Sequence, residues 1–263
     1  MRAVQNLVLN SLRKGTMSVF HISPGHFPSG VMMERDIMEE IFKQLDAFWM
    51  YDGNPCSEKP HALLKSGKHS NGFIMCKEVL QYPSLCNIFA REMVKKLSHI
   101  TVAAGTDMRI DAVASSAYSA LDLGHEVAST LARRNPEVKH IQVEKDSNGN
   151  PTVVRGGIDP DHSVLIVNEL MTTGEGSTYE TLKAIRDCNG EGKPGPKIIN
   201  PAVVLVHRSK DLKLADGTDV VPVFHFDIEN FDPDNCPYCA AGSEAIKPKV
   251  GDGTNWRRLH GRI

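Results

Sequence analysis

The segment from Val164 to Thr178 constrains the fold more than any other part of the sequence. An uninterrupted apolar run, Val164–Val167, is followed by the polar pair Asn168-Glu169, a Thr-Thr-Gly turn at 172–174 and a second glycine, Gly176. Such a short apolar run is typical of a strand buried on both faces of a parallel sheet. Glycines let a backbone approach a ligand closely, and N–H groups at a helix start bind anions. The segment therefore predicts a strand–turn–helix unit with an anion site in its turn.

Apolar runs and amphipathic stretches alternate along the rest of the chain, which is typical of α/β proteins. We therefore expect an α/β fold with a central, mostly parallel sheet flanked by helices. Strands are predicted near 72–76, 111–114, 138–143, 163–167, 202–206 and 221–226, and helices over 34–49, 84–97, 119–133 and from 177 onward. The expected division is a poorly defined leader at 1–33, an N-terminal helix and further segment at 34–80, a core at 81–228 and a Cys-x-x-Cys tail at 229–263.

Composition excludes several classes of protein. The formal charge is -2, from 30 Lys and Arg against 32 Asp and Glu, and aromatic residues make up 6%. This balance argues against a nucleic-acid-binding protein. No apolar run is long enough to span a membrane, so no membrane partner is expected. The first thirty residues lack the pattern of a secretory signal and the six cysteines are scattered, which favours a cytoplasmic, reducing location.

The segment 164–178 resembles the phosphoribosyl-pyrophosphate (PRPP) motif of the type I phosphoribosyltransferases. Three other segments are similar to the orotate-using branch of that family, and they occur in the family's order. They are the Leu-Lys-Ser-Gly segment within 61–70, the loop region 144–157, and the strand end Val203–Arg208. The tail from Cys236 to Pro248 also resembles the ending of some bacterial members.

The resemblance implies the type I phosphoribosyltransferase fold, with a small hood formed by the N- and C-terminal segments. It also implies transfer of ribose 5-phosphate from PRPP to a nucleobase, orotate first, with Mg²⁺ as cofactor and a homodimer as the assembly. The implied catalytic residues are Lys65, Lys145 and Glu169. The implied substrate-binding residues are Asn168, Thr172, Thr173, Gly174, Gly176, Ser177 and Thr178 around the ribose phosphate, Ala117 and Tyr118 near the pyrophosphate, and Arg208 on the carboxylate of the base.

The sequence also departs from the family pattern. One of two acidic residues is replaced by Asn168, Glu175 adds a negative charge inside the turn, and the loop Ser115–Ala120 lacks the family's lysine and glycine. Two alternatives therefore stay open. One is a relative that binds PRPP or a nucleotide without turnover and has a regulatory role. The other is a phosphoribosyltransferase that uses a different base.

Cys236 and Cys239 have the spacing of half a tetrahedral Zn²⁺ site. Cys56 is the best candidate for a remote ligand, followed by His61 or His225. The alternative is a reduced pair that only packs the tail.

Overall fold

The computed structural model describes residues 2–28, 30–105, 108–116, 118, 120–154, 158–208 and 210–263. Its helices are α1 (Arg2–Arg13), α2 (Arg35–Gln44), α3 (Cys76–Leu80), α4 (Pro83–Ala104), α5 (Leu121–Leu131), α6 (Ser177–Asp187), α7 (Pro237–Ala240) and α8 (Thr254–Leu259). Its strands are β1 (Phe48–Met50), β2 (His61–Leu63), β3 (His69–Ser70), β4 (Gly72–Ile74), β5 (Ala112–Ser116), β6 (Lys139–Lys145), β7 (Pro151–Val153), β8 (Ser163–Met171), β9 (Lys197–Ile198), β10 (Ala202–His207), β11 (Val220–His225), β12 (Asn230–Phe231) and β13 (Ala245–Ile246). No described helix is both long and apolar enough to cross a bilayer.

The chain divides into two units. The first unit contains Met1–Ile41 and Cys76–Phe226, and the second contains Phe42–Met75 and Asp227–Ile263. The boundaries predicted from sequence are 33/34, 80/81 and 228/229.

The first unit is built around one sheet with strand order β11-β10-β8-β5-β6-β7, and β9 pairs with the start of β8. Every pair is parallel except β6 with β7, which form an antiparallel hairpin. This confirms the predicted α/β class. The chain moves outward in both directions from β5 and β8, so the strand order reverses between them. Ligand sites of open α/β sheets lie at such a switch point, at the carboxyl ends of the strands.

Alternate residues of the three central strands contribute to one face of the sheet's core. Ala112, Ala114, Val164, Ile166, Ala202 and Val204 pack with Leu182 and Ile185 of α6 in a single apolar cluster. Each is at most 1% exposed. Burying a side chain such as Leu or Ile contributes about 1.5–3 kcal/mol, so this cluster holds α6 against the sheet.

The second unit has a four-stranded sheet, β12-β3-β2-β13, and an antiparallel pair, β1 with β4. Its core contains two tryptophans, Trp49 and Trp256, with Ala62, Ile246 and Leu259. The indole N–H of Trp49 donates to the carbonyl oxygen of Leu259 at 2.7 Å, which ties β1 to the C-terminal helix α8.

Two predictions about the N-terminal region were wrong. The predicted leader contains α1, whose buried side chains are Gln5, Val8, Leu9 and Leu12, at helical spacing. The helical period of these buried positions is hard to recognise in the sequence because one of the four buried residues is the polar Gln5. Its amide donates to the carbonyl of Met32 and accepts from the N–H of Glu34, at 2.9 and 2.8 Å.

The helix predicted over 34–49 ends at Gln44. Asp46 has a positive φ of 57°, which breaks the helix, and Phe48 and Trp49 lie in strand β1. Their spacing from the helical residues matched a helix only by coincidence.

Candidate active site

The predicted anion site lies between β8 and α6. Strand β8 extends to Met171, beyond the predicted end at Val167, and α6 begins at Ser177 after a turn at 172–176. Gly176 is the N-cap residue and makes no side-chain cap. The first N–H groups of an α-helix have no carbonyl partner within the helix, and the helix dipole adds positive potential there. The turn therefore has the chemistry of an anion site.

Asn168 joins the end of β8 to the start of α6. Its side chain is 1% exposed, and Nδ2 donates to the hydroxyls of Ser177 at 2.8 Å and of Thr178 at 2.9 Å. Oδ1 accepts from the N–H of Glu169 at 2.9 Å and from the hydroxyl of Ser116 at 3.3 Å. Since a backbone N–H can only donate, the atom that it contacts must be the oxygen, so the amide orientation is defined. Both helix hydroxyls therefore accept from Asn168 and keep their own protons for another acceptor.

Gly174 is required for packing. A Cβ at this position would lie 2.6 Å from the carbonyl oxygen of Lys213, and the Gly174 carbonyl accepts from the N–H of Ala215 at 3.0 Å. A Cβ on Gly176 would meet nothing closer than 3.7 Å. Thus Gly174 fixes the turn against segment 213–215, whereas the space around Gly176 admits a side chain.

The two acidic residues of the turn region differ in environment. Glu169 is half-buried, and its carbonyl oxygen accepts from the thiol of Cys76 at 3.6 Å. Glu175 is exposed. Exposure weakens the effect of the Glu175 charge on a neighbouring anion because water screens it.

The carboxyl end of β5 is next to that of β8. Ser115 and Ser116 end this strand, and the Ser115 hydroxyl lies 2.9 Å from Nε2 of His140. Tyr118 has a positive φ of 68° and is 92% exposed, so its backbone is strained while its ring faces solvent. The predicted substrate-binding residue Ala117 lies outside the described residues. Ser119 and residues 155–157 of the predicted loop region also lie outside them.

Arg208 follows β10 directly. Its backbone N–H donates to the carbonyl of Met171 at 3.1 Å, so the residue lies beside the end of β8. The side chain is 6% exposed. Burial lowers the pKa of the guanidinium to about 10, with a smaller opposing contribution from Cys76. The group is therefore charged at neutral pH and poorly solvated, which strengthens its attraction for an anion.

The two predicted lysines are exposed. Lys145 ends β6, opposite Pro151 of the β6–β7 hairpin, and its ammonium lies 3.6 Å from the carboxylate of Glu180. Lys65 lies in the second unit, in the turn between β2 and β3, where Gly67 has a positive φ of 84°.

Two of the three residues predicted to complete a Zn²⁺ site with Cys236 and Cys239, namely Cys56 and His225, are not in the group of metal-ligand side chains around these cysteines. Cys56 lies beside Tyr51, with Sγ 3.6 Å from the phenol oxygen, and His225 lies in the first unit against His207. The third candidate, His61, does lie with the two cysteines, and His69 joins it there. His69 was missed, although the two histidines flank the Leu-Lys-Ser-Gly segment and a hairpin there would bring them together.

No protein-family model matches the chain. The chain is similar to curated orotate phosphoribosyltransferases. That of Nitratiruptor sp. is 32% identical over 217 residues, covering 80% of this chain and 96% of the relative. That of Caldicellulosiruptor saccharolyticus is 30% identical over 217 residues, covering 82% and 97%. Among solved structures, orotate phosphoribosyltransferase from Aeropyrum pernix matches with a TM-score of 0.48 and 20% identity, covering 72% of this chain and 93% of that one. Because the two curated relatives are at least 30% identical and are matched over nearly their whole length, the chain belongs to the orotate phosphoribosyltransferase family.

Proposed function

We propose that this protein transfers ribose 5-phosphate from PRPP to orotate, forming orotidine 5′-phosphate and pyrophosphate. A ring nitrogen of the base attacks C1 of the ribose, and the bond from C1 to the pyrophosphate oxygen breaks. Pyrophosphate leaves with the bonding electrons, and the proton of the ring N–H passes to solvent. The observation that carries the proposal is the Asn168 network at the start of α6.

The turn 172–176 and the start of α6 bind the 5′-phosphate in this proposal. The side-chain amide of Asn168 donates one hydrogen bond to the hydroxyl of Ser177 and one to that of Thr178. The Ser177 hydroxyl is exposed, and it therefore points its own proton outward. Helix-start N–H groups and the hydroxyls of Thr172 and Thr173 add donors to the same anion. Such fixed donors position PRPP for attack on C1.

Glu169 holds the ribose hydroxyls and contributes the carboxylate that Mg²⁺ requires. Mg²⁺ is usually bound through one or two carboxylates together with substrate phosphates and water. One half-buried carboxylate at the carboxyl end of β8 fits this donor set. With Mg²⁺ held there by Glu169, charge that develops on the pyrophosphate would be neutralised.

Arg208 binds the carboxylate of orotate in this proposal. A guanidinium matches a carboxylate with two parallel hydrogen bonds, and a lysine does not. Its low exposure favours this pairing, because a desolvated ion pair is stronger than an exposed one. The contacts of Lys65 and Lys145 with the base and pyrophosphate, the pyrophosphate loop around Tyr118, and the homodimer stay predictions from the resemblance.

Pyrophosphate release measures the reaction directly. The protein with Mg²⁺ and PRPP should release pyrophosphate with orotate and much less with uracil, which lacks the carboxylate. Arg208→Gln should abolish this preference and keep the stabilisation by PRPP in a thermal melt. The matched control is Arg134→Gln, an exposed arginine remote in sequence from the strand ends.

The assay also separates the alternatives. PRPP binding without turnover on any base would support the regulatory relative. Turnover with a base other than orotate would identify a different acceptor. Failure to bind PRPP would contradict both transferase assignments, and failure to bind any nucleotide as well would contradict the regulatory relative.

A further inference from the structure

Four metal-ligand side chains, none of which has a role in the proposed transfer reaction, converge within the second unit. They are His61, His69, Cys236 and Cys239, and one ligand atom of each lies within 4.8 Å of the others. The first three are at most 7% exposed, and Cys239 is exposed. Imidazole and thiolate are the ligand types that zinc selects.

The distances between the ligand atoms match the edges of a zinc tetrahedron. Zn–S bonds of about 2.3 Å and Zn–N bonds of about 2.0–2.1 Å give tetrahedral S–N edges of about 3.5 Å and an N–N edge of about 3.3 Å. Sγ of Cys236 and Sγ of Cys239 lie 3.5 and 3.6 Å from Nε2 of His61. Nδ1 of His69 lies 3.0 Å from that nitrogen and 3.2 Å from Sγ of Cys239. These four edges are at most a few tenths of an ångström from those of a loaded site, and the two remaining edges, from Sγ of Cys236 to Sγ of Cys239 and to the ligand nitrogen of His69, are within 4.8 Å.

Hydrogen bonding alone does not explain this arrangement. A ring nitrogen of histidine has one in-plane direction, in which it either donates one proton or accepts one. Nε2 of His61 nevertheless has three polar atoms within 3.6 Å. Three partners around one nitrogen are expected when all four atoms face a common centre.

A second hydrogen-bond layer leaves the correct nitrogen of His61 unprotonated. The Ser243 hydroxyl donates to the carbonyl of Lys59 at 2.5 Å, so its oxygen must accept from Nδ1 of His61 at 2.8 Å. With its proton on Nδ1, His61 presents the lone pair of Nε2 to the cluster. Zinc-binding histidines are oriented by the same kind of bond from their other nitrogen. The ring of Tyr238 stacks on His61 at 5.3 Å and covers it.

We propose that the second unit binds one structural Zn²⁺ through Nε2 of His61, Nδ1 of His69, Sγ of Cys236 and Sγ of Cys239. Each thiol loses its proton on binding, and both imidazoles bind as neutral groups. Four protein ligands fill a tetrahedral zinc and leave no position for a substrate, so the ion is structural. It connects β2 and β3 to the Cys-x-x-Cys turn at the start of α7.

Metal analysis of the full chain tests the proposal. The protein, expressed without an affinity tag that binds metal, should contain about one zinc per chain by plasma mass spectrometry. Replacing zinc with Co²⁺ should produce the intense visible bands of tetrahedral cobalt with a thiolate charge-transfer band. Cys239→Ser should lose most of the metal and melt at a lower temperature. Cys56→Ser, which removes another cysteine of the same unit, should keep both metal and melting temperature.

Three results would overturn the proposal. The first is wild-type protein that lacks zinc and does not take it up from solution. The second is octahedral cobalt or a spectrum without thiolate bands, and the third is zinc loss in Cys56→Ser but not in Cys239→Ser. The wild-type measurements need no variant, so they decide the matter even if Cys239→Ser fails to fold. They are also independent of transferase activity.

Discussion

The Asn168 network should act as one cooperative unit in folding. Asn168→Ala removes the donor from the Thr178 hydroxyl, which is 2% exposed, and the acceptor from the N–H of Glu169. Each buried polar group left without a partner costs about 1–3 kcal/mol. The variant should therefore lower the free energy of unfolding by about 2–6 kcal/mol.

A double-mutant cycle isolates the buried bond. Asn168→Ala and Thr178→Val each break the same contact, so their coupling energy should be about 1–2 kcal/mol in ligand-free protein. The matched cycle with Ser177→Ala probes a bond of nearly equal length, 2.8 Å, at an exposed hydroxyl. Water replaces that bond when it is lost, so the second coupling should be under about 0.5 kcal/mol.

Urea unfolding followed by circular dichroism measures all six proteins, the wild type among them. The reasoning would be refuted if the coupling with Thr178 were no larger than that with Ser177. It would also fail if Asn168→Ala unfolded at the wild-type urea concentration.

Two further predictions concern stability and binding. Gly174→Ala should weaken PRPP binding at least tenfold, because its Cβ would lie 2.6 Å from the carbonyl oxygen of Lys213 and the turn would have to move; calorimetry should find a much smaller loss in Gly176→Ala. Burial, and secondarily His125, lowers the pKa of His140 to about 4 from 6.5. The unfolded chain therefore takes up this proton first as the pH falls. Stability should decline between pH 6.5 and 4 by up to about 3 kcal/mol, reduced by the solvent that reaches the ring. His140→Gln should reduce the decline, and an unchanged pH profile of urea unfolding would contradict the assignment.

The central sheet was predictable because its strands are apolar runs that are shorter than a typical helix. Val164–Val167 and Ala202–Val206 are buried on both faces, and an uninterrupted apolar run in the sequence predicts such burial. The N-terminal region was not predictable in this way. Helix α1 buries a glutamine that bonds to backbone 27 and 29 residues away, and no local pattern contains that information.

Most of the predicted phosphate turn could be located from sequence, but the reasons for its residues could not. Gly174 was expected to admit a phosphate, whereas its missing Cβ is required by segment 213–215. Asn168 looked like a lost carboxylate, yet its amide supplies two donors that a carboxylate lacks. Both reasons depend on contacts that spacing alone does not show.

The hairpin of β2 and β3 restricts how this chain can vary. Leu63 pairs with His69, and His61 and Leu63 share one face of the strand, so both imidazoles point to the same side. Adding or deleting a single residue in the turn 64–68 would rotate one imidazole to the opposite side of the sheet. Among natural variants of this chain, single-residue length changes in that turn should therefore be absent.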